Sequence, residues 1–128
     1  MTLQERHEKA RILHQQGYNC AQCVALAFTD VTGLDETTTA RVAAGLGGGV
    51  GGTGEICGAL TGATIAEGLL DFTKPADKPA INAKVKDVCQ EFAALNGGMV
   101  RCRGLKGKEK KPCMTLIEEA ITILHNRL

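Results

Sequence analysis

The stretch Gly45-Leu46-Gly47-Gly48-Gly49-Val50-Gly51-Gly52-Thr53-Gly54 limits most strongly what this chain can fold into. So many glycines leave the backbone unable to hold a helix or strand at low cost, and the stretch reads as a loop. It leads through Glu55-Ile56 into Cys57-Gly58-Ala59-Leu60-Thr61-Gly62, which reads as the opening turn of a helix. A thiol there lies beside unpaired N–H groups at the positive end of the helix dipole. That is a chemical arrangement as well as a packing one.

At 128 residues the chain reads as one domain, residues 1–128, large enough to bury roughly two thirds of its unfolded surface. Aromatic residues are only 3% of it, so the core must be built from Ala, Leu, Ile and Val, which suits closely approaching helices better than a sandwich. The net charge of +1 supplies no global field for a polyanion or an acidic membrane. The first residues lack the apolar core of a signal peptide, and the best apolar run, near Ala59 to Leu70, is short and contains Glu67. The expectation is a cytoplasmic protein. There, six cysteines point to metal binding or reversible thiol chemistry rather than a disulfide scaffold. The plainer alternative is that a cysteine serves as a small buried hydrophobe, which suits Cys89 best.

In chain order, Leu3 to Gln16 reads as a charge-mixed helix closed by Gly17, with Leu3, Ala10 and Leu13 on one face and His14 in its last turn. Asn19 caps a second helix from Cys20 to about Val31, whose first turn is Cys20-Ala21-Gln22-Cys23, a CxxC pair on one face. That spacing at a helix start lowers thiol pKa values in dithiol redox proteins. Asp35 caps a third helix to about Ala44, with Val42 and Ala43 inward. Gly47 to Gly52 fits GxGxxG formally, but no strand precedes it, so a dinucleotide site is rejected. A nest of successive free N–H groups, able to donate to an anion, a thiolate or a sulfide, fits better beside Cys57.

The fourth helix, Cys57 to about Leu70, carries a smooth strip at Gly58, Gly62 and Ala66 for close helix packing. A fifth follows Pro75 and Pro79, with Asp77 as cap and an apolar stripe of Ile81, Val85, Val88, Phe92 and Leu95 beside Cys89. The basic loop from Arg101 to Lys111 holds Cys102 between two arginines, which favour its thiolate. It lacks the aromatic residues of a nucleic-acid platform. Pro112 and Cys113 open a last helix with Leu116, Ile117, Ala120, Ile121 and Leu124 inward and His125 on the surface.

These elements predict an all-α fold, a compact bundle of five to six short antiparallel helices with a Gly-rich loop. If consecutive helices alternate in direction, the second, fourth and sixth share a pole, and Cys20, Cys57 and Cys113 begin those three. Cys102 and His14 fall at the same end, Cys23 lies one turn deeper, and Cys89 about two turns below the rim.

The order of these pieces resembles the redox-active C_GCAxxG_C_C family. The resemblance rests on Gly17-Tyr18-Asn19-Cys20-Ala21-Gln22, Gly47-Gly48-Gly49, Gly54-Glu55-Ile56-Cys57-Gly58-Ala59-Leu60-Thr61-Gly62, Cys102-Arg103-Gly104-Leu105-Lys106-Gly107 and Cys113. It implies a small helical protein with four characteristic cysteines, here Cys20, Cys57, Cys102 and Cys113; Cys23 and Cys89 lie outside the pattern.

Three functions are open at this point. Thiol–disulfide redox would use Cys20 or Cys57 as the attacking sulfur, with Cys23, Cys102 or Cys113 available to resolve and Glu55 or His14 to relay the proton. This needs no cofactor. A zinc or iron–sulfur site would take Cys20, Cys57, Cys102 and Cys113 as ligands, with the amides of Gly49, Gly54 and Gly58 facing the bound group. An inert helical module would use the cysteines only for packing. The expected partner is a redox protein, without nucleic acid or membrane insertion, and a homodimer is compatible.

Overall fold

The computed structural model describes residues 1–105 and 111–128. The lysine-rich part of the basic loop, residues 106–110, lies outside the described residues. The fold is all-α. Its helices are α1 (Leu3–Gln15), α2 (Cys20–Leu26), α3 (Thr29–Thr32), α4 (Glu36–Ala43), α5 (Gly58–Asp71), α6 (Lys78–Leu95), α7 (Cys102–Leu105) and α8 (Cys113–His125). Short 3₁₀ turns at Ala44–Leu46 and Pro75–Asp77 complete them. No helix among the described residues is long and apolar enough to cross a membrane.

Among the described residues eight helices stand where five to six are expected. The anticipated second helix stops at Leu26 and restarts at Thr29, where the Thr29 hydroxyl turns back to donate to the Leu26 carbonyl at 3.2 Å. The basic loop contributes the one-turn α7. The starts of α1, α2 and α4 are set by their caps: Thr2 and Asn19 form capping boxes with Glu5 and Gln22, and Asp35 accepts from the Thr38 amide. Asp77 precedes α6 without capping it; its carboxylate accepts from the Thr73 and Lys74 amides instead.

Helix α2 is the centre of the core. Ala21, Cys23, Val24, Ala25 and Leu26 are all buried, against α5, α1, α4 and α8. Its small residues let α5 approach closely. A Cβ at Gly62 would sit 2.5 Å from the Ala21 carbonyl oxygen, and one at Gly58 would sit 3.1 Å from both the Ala21 nitrogen and the Cys20 Cβ. The glycine spacing of the fourth helix is therefore a backbone contact strip, as its periodicity predicts.

Three side-chain placements change. Val42 is exposed, and Thr39 and Ala43 are the buried residues of α4. Leu95 is also exposed, because the stripe of α6 turns away from the core after Phe92. His125 is not a free surface residue: its Nδ1 accepts from Arg6 Nε at 3.0 Å. Arg6, only 1% exposed, occupies the inner face of α1. It donates to the Ala27 carbonyl (2.7 Å) and to both oxygens of Asp30 (2.5 and 3.1 Å), and stacks over Phe28 at 4.5 Å. A buried charge is tolerable when its donors are satisfied this fully.

Candidate functional site

Each of the four motif cysteines opens a helix. Cys20 is the first residue of α2, Cys57 is the N-cap of α5, and Cys102 and Cys113 begin α7 and α8. A two-bond backbone clamp joins two of these starts. The Cys57 amide donates to the Val100 carbonyl (2.8 Å) and the Cys102 amide to the Glu55 carbonyl (2.7 Å), around an isolated antiparallel bridge between Ile56 and Arg101. Side chains alternate across such a pairing. Ile56 and Arg101 are exposed, while Cys57 (3% exposed) and Cys102 (7%) turn inward.

Cys102 and Cys113 both lie close enough to Cys57 to act on it electrostatically, so these three sulfurs are neighbours. Cys20 packs its Cβ over Gly58, the next residue of the chain. None of the six cysteines is in a disulfide, and Cys20, Cys89 and Cys113 are partly exposed.

The electrostatics correct one expectation. A helix N-terminus predicts a lowered thiol pKa, yet burial pushes the Cys57 thiol up. The Ala59 and Leu60 amides pull the other way, and the nearness of Cys102 and Cys113 adds to the rise. Cys23 departs further from the expected activated dithiol. It is fully buried, its Sγ donates to the Tyr18 carbonyl at 3.6 Å, and burial lifts its pKa to about 11. The second sulfur of the CxxC is thus a core thiol. Cys89 packs against the same core, and burial raises it as well.

The glycine loop is not an open nest. Residues 48 to 52 all have positive φ, which makes a left-handed turn that places even Val50 at φ 69°. Within it the amides of Val50, Gly51, Gly52, Thr53, Gly54 and Glu55 are used by the carbonyls of Leu46, Gly45, Gly47, Val50, Gly48 and Gly49. Gly54 therefore has no amide left for a bound group. Gly49 is needed for close approach, since a Cβ there would meet the Glu55 nitrogen at 2.5 Å. The loop is a self-bonded knot that fixes where Cys57 begins its helix.

Glu55 is not placed as a proton relay. Its carboxylate faces Arg101 (3.7 Å) and Arg103 (3.2 Å), the two arginines expected to serve Cys102. His14 is exposed on the last turn of α1. Sequence reasoning missed the clasp formed by Arg103. Its guanidinium donates to the Thr53 carbonyl at 3.0 Å and to the Gly54 carbonyl at 3.4 Å, and its amide donates to the Gly54 carbonyl at 3.2 Å. A glutamate opposite an Arg-Cys-Arg triplet was the only available signal.

For a metal, the donor chemistry of four thiols is suitable but their arrangement is not. Among the described residues, no group of three or more His, Cys, Asp or Glu side chains converges to hold an ion.

The fold and site define a small all-α protein with thiols at the starts of four helices, two of them clamped together. The chain belongs to the C_GCAxxG_C_C family, whose model, described as "Putative redox-active protein (C_GCAxxG_C_C)", matches residues 18–127. It is also similar to an uncharacterised protein of Archaeoglobus fulgidus, 26% identical over 123 residues, covering 82% of this chain and 81% of that one. No solved structure matches it.

Proposed function

We propose that this is a thiol–disulfide redox protein whose working sulfurs are Cys57 and Cys102, reached through the partly exposed Cys20 or Cys113, at a shared pole of antiparallel helices. The observation that carries this reading is the clamp that sets the Cys57 and Cys102 helix starts side by side. An exposed thiolate attacks a partner disulfide and releases one partner thiol. A second cysteine of the cluster displaces the other partner thiol, and exchange within the cluster passes the bond to Cys57 and Cys102. In sum, two protein thiols become one disulfide and the partner disulfide becomes two thiols. Burial of Cys57 favours it as a resolving rather than an entering sulfur, since a partner must reach the atom it reacts with. A reducing compartment such as the cytoplasm suits a protein that rests as free thiols.

The test is titration with oxidised and reduced dithiothreitol after anaerobic purification, read by peptide mapping. A reversible Cys57–Cys102 disulfide that is lost in Cys57→Ser supports the reading. Iron or zinc bound in stoichiometric amount and released by Cys57→Ser would replace it with a metal site. Unreactive thiols without metal would leave a packing role.

A further inference from the structure

Resting on that redox reading, we infer that Arg103 is a positioning residue that holds Cys57 and Cys102 in the dithiol form. In the clamp Cys57 stands directly opposite Val100, so Cys102 is its diagonal neighbour. Diagonal neighbours in a regular ladder are about 7–8 Å apart, whereas a disulfide needs Cβ atoms at about 3.8 Å. Joining the two sulfurs therefore requires the segment bearing Cys102 to slide along residues 53–57.

Arg103 opposes that slide at three successive residues. Its guanidinium holds the Thr53 and Gly54 carbonyls and the Glu55 carboxylate, and its own amide holds the Gly54 carbonyl. The packing is close enough to require glycine at 54, where a Cβ would meet the Arg103 Cβ at 3.1 Å. Apart from Arg103, the segment is held to residues 53–57 by the two clamp bonds, and open space lies beside it. A cavity of about 410 Å³ lies against Gly98, Met99, Val100, Arg101, Arg103 and Gly104. A second, of about 340 Å³, lies beside Met99 and Leu105. Gly97 and Gly98, both with positive φ, precede the segment and supply a hinge. Room to move exists, and the Arg103 clasp reinforces the register that the two clamp bonds set. Arg101, whose contact to Glu55 is a longer 3.7 Å, provides the internal control.

The step is balanced by a small disulfide. Cys57 and Cys102 each give up a thiol hydrogen, the new S–S bond forms, and oxidised dithiothreitol takes up both hydrogens as its dithiol.

The experiment titrates the full chain with oxidised and reduced dithiothreitol and quantifies the Cys57–Cys102 disulfide by mass spectrometry. Arg103→Ala should favour the disulfide about tenfold, a midpoint shift of about 30 mV toward easier oxidation. Arg103→Lys should recover part of the difference, because an ammonium cannot bridge the carbonyls and carboxylate as a planar fork does. Arg101→Ala should stay within about twofold of the parent. If Arg103→Ala does not fold, Glu55→Gln, which keeps both carbonyl bonds, should shift the equilibrium about threefold in the same direction. A parent that cycles while Arg103→Ala or Glu55→Gln titrates within twofold of it overturns the inference alone. A parent that forms no such disulfide overturns the redox reading with it.

Discussion

Replacing Glu67 with glutamine should make the protein more stable above neutral pH and leave it unchanged in mild acid. Glu67 sits on the inner side of α5, 5% exposed, with its Oε1 lacking any hydrogen-bond partner. The Lys84 Nζ, at 3.7 Å, is too far to serve as one and lies 2.6 Å from Asp71 instead. Burial, followed by the hydrogen bond and charge of Asp71 one turn on, pushes the Glu67 carboxyl up to about 7 from its ordinary 4.5. The hydrogen bond from Glu67 holds Asp71 low, so below about pH 7 a proton sits on Glu67 and is donated to Asp71.

The sign follows from proton counting. Between pH 4.5 and 7 the folded protein binds more protons at this site than the unfolded chain does, so its stability falls as pH rises through that window. The rise corresponds to about 3 kcal/mol at roughly 1.4 kcal/mol per pH unit. The lowered Asp71 offsets part of this. Glutamine has the shape of the protonated acid and can still donate to Asp71. Urea unfolding of parent and Glu67→Gln under reducing conditions, from pH 5 to 8.5, should show the variant equal at pH 5. The difference should open between pH 5 and 7, reach up to about 3 kcal/mol and stay level to pH 8.5, with unchanged m-values. A pH-independent difference, or a variant weaker than the parent at pH 8.5, would refute the buried-acid account.

Two further outcomes test the packing. Gly62→Ala should destabilise by about 2–3 kcal/mol, because its Cβ would press on the Ala21 backbone at 2.5 Å. Gly68→Ala in the same helix, which meets nothing within 4 Å, should stabilise by up to about 1 kcal/mol; thermal denaturation of both variants checks the contrast. Arg6→Met should lower stability by about 2 kcal/mol by leaving the Ala27 carbonyl and part of Asp30 unpaired, and Arg6→Lys should restore less than half of that. A loss under 0.5 kcal/mol in a denaturant midpoint would show that the network of Arg6 only fills space.

The geometry also explains why the glycine loop and the motif glycines sit where they do. Gly47 lies so close to Asn19 that a Cβ would be 2.7 Å from that side chain, and the Asn19 amide reaches the Ala44 carbonyl at 3.0 Å. The residue that caps α2 thereby also pins the loop that delivers Cys57. The starts of α2 and α5, and with them Cys20 and Cys57, are positioned by one set of contacts.

Local chemistry alone determined the all-α fold, the capped starts of α2 and α4, and the glycine strip of α5, because caps and periodicity act within a few residues of themselves. The helix-start positions of Cys20, Cys57 and Cys113 were legible too, whereas Cys102, expected in a loop, begins the one-turn α7. Only the tertiary structure decided which thiols burial mutes. Burial is set by residues far away in the chain, and it raises Cys57 and Cys23 against the local pull of a helix N-terminus. The same holds for Glu55, whose carboxylate is met by arginines brought from the other half of the molecule, and for Arg6, buried because Asp30, Ala27 and His125 converge to receive it. Charge in a sequence reads as exposure; only the fold supplies the partners that let it go inside.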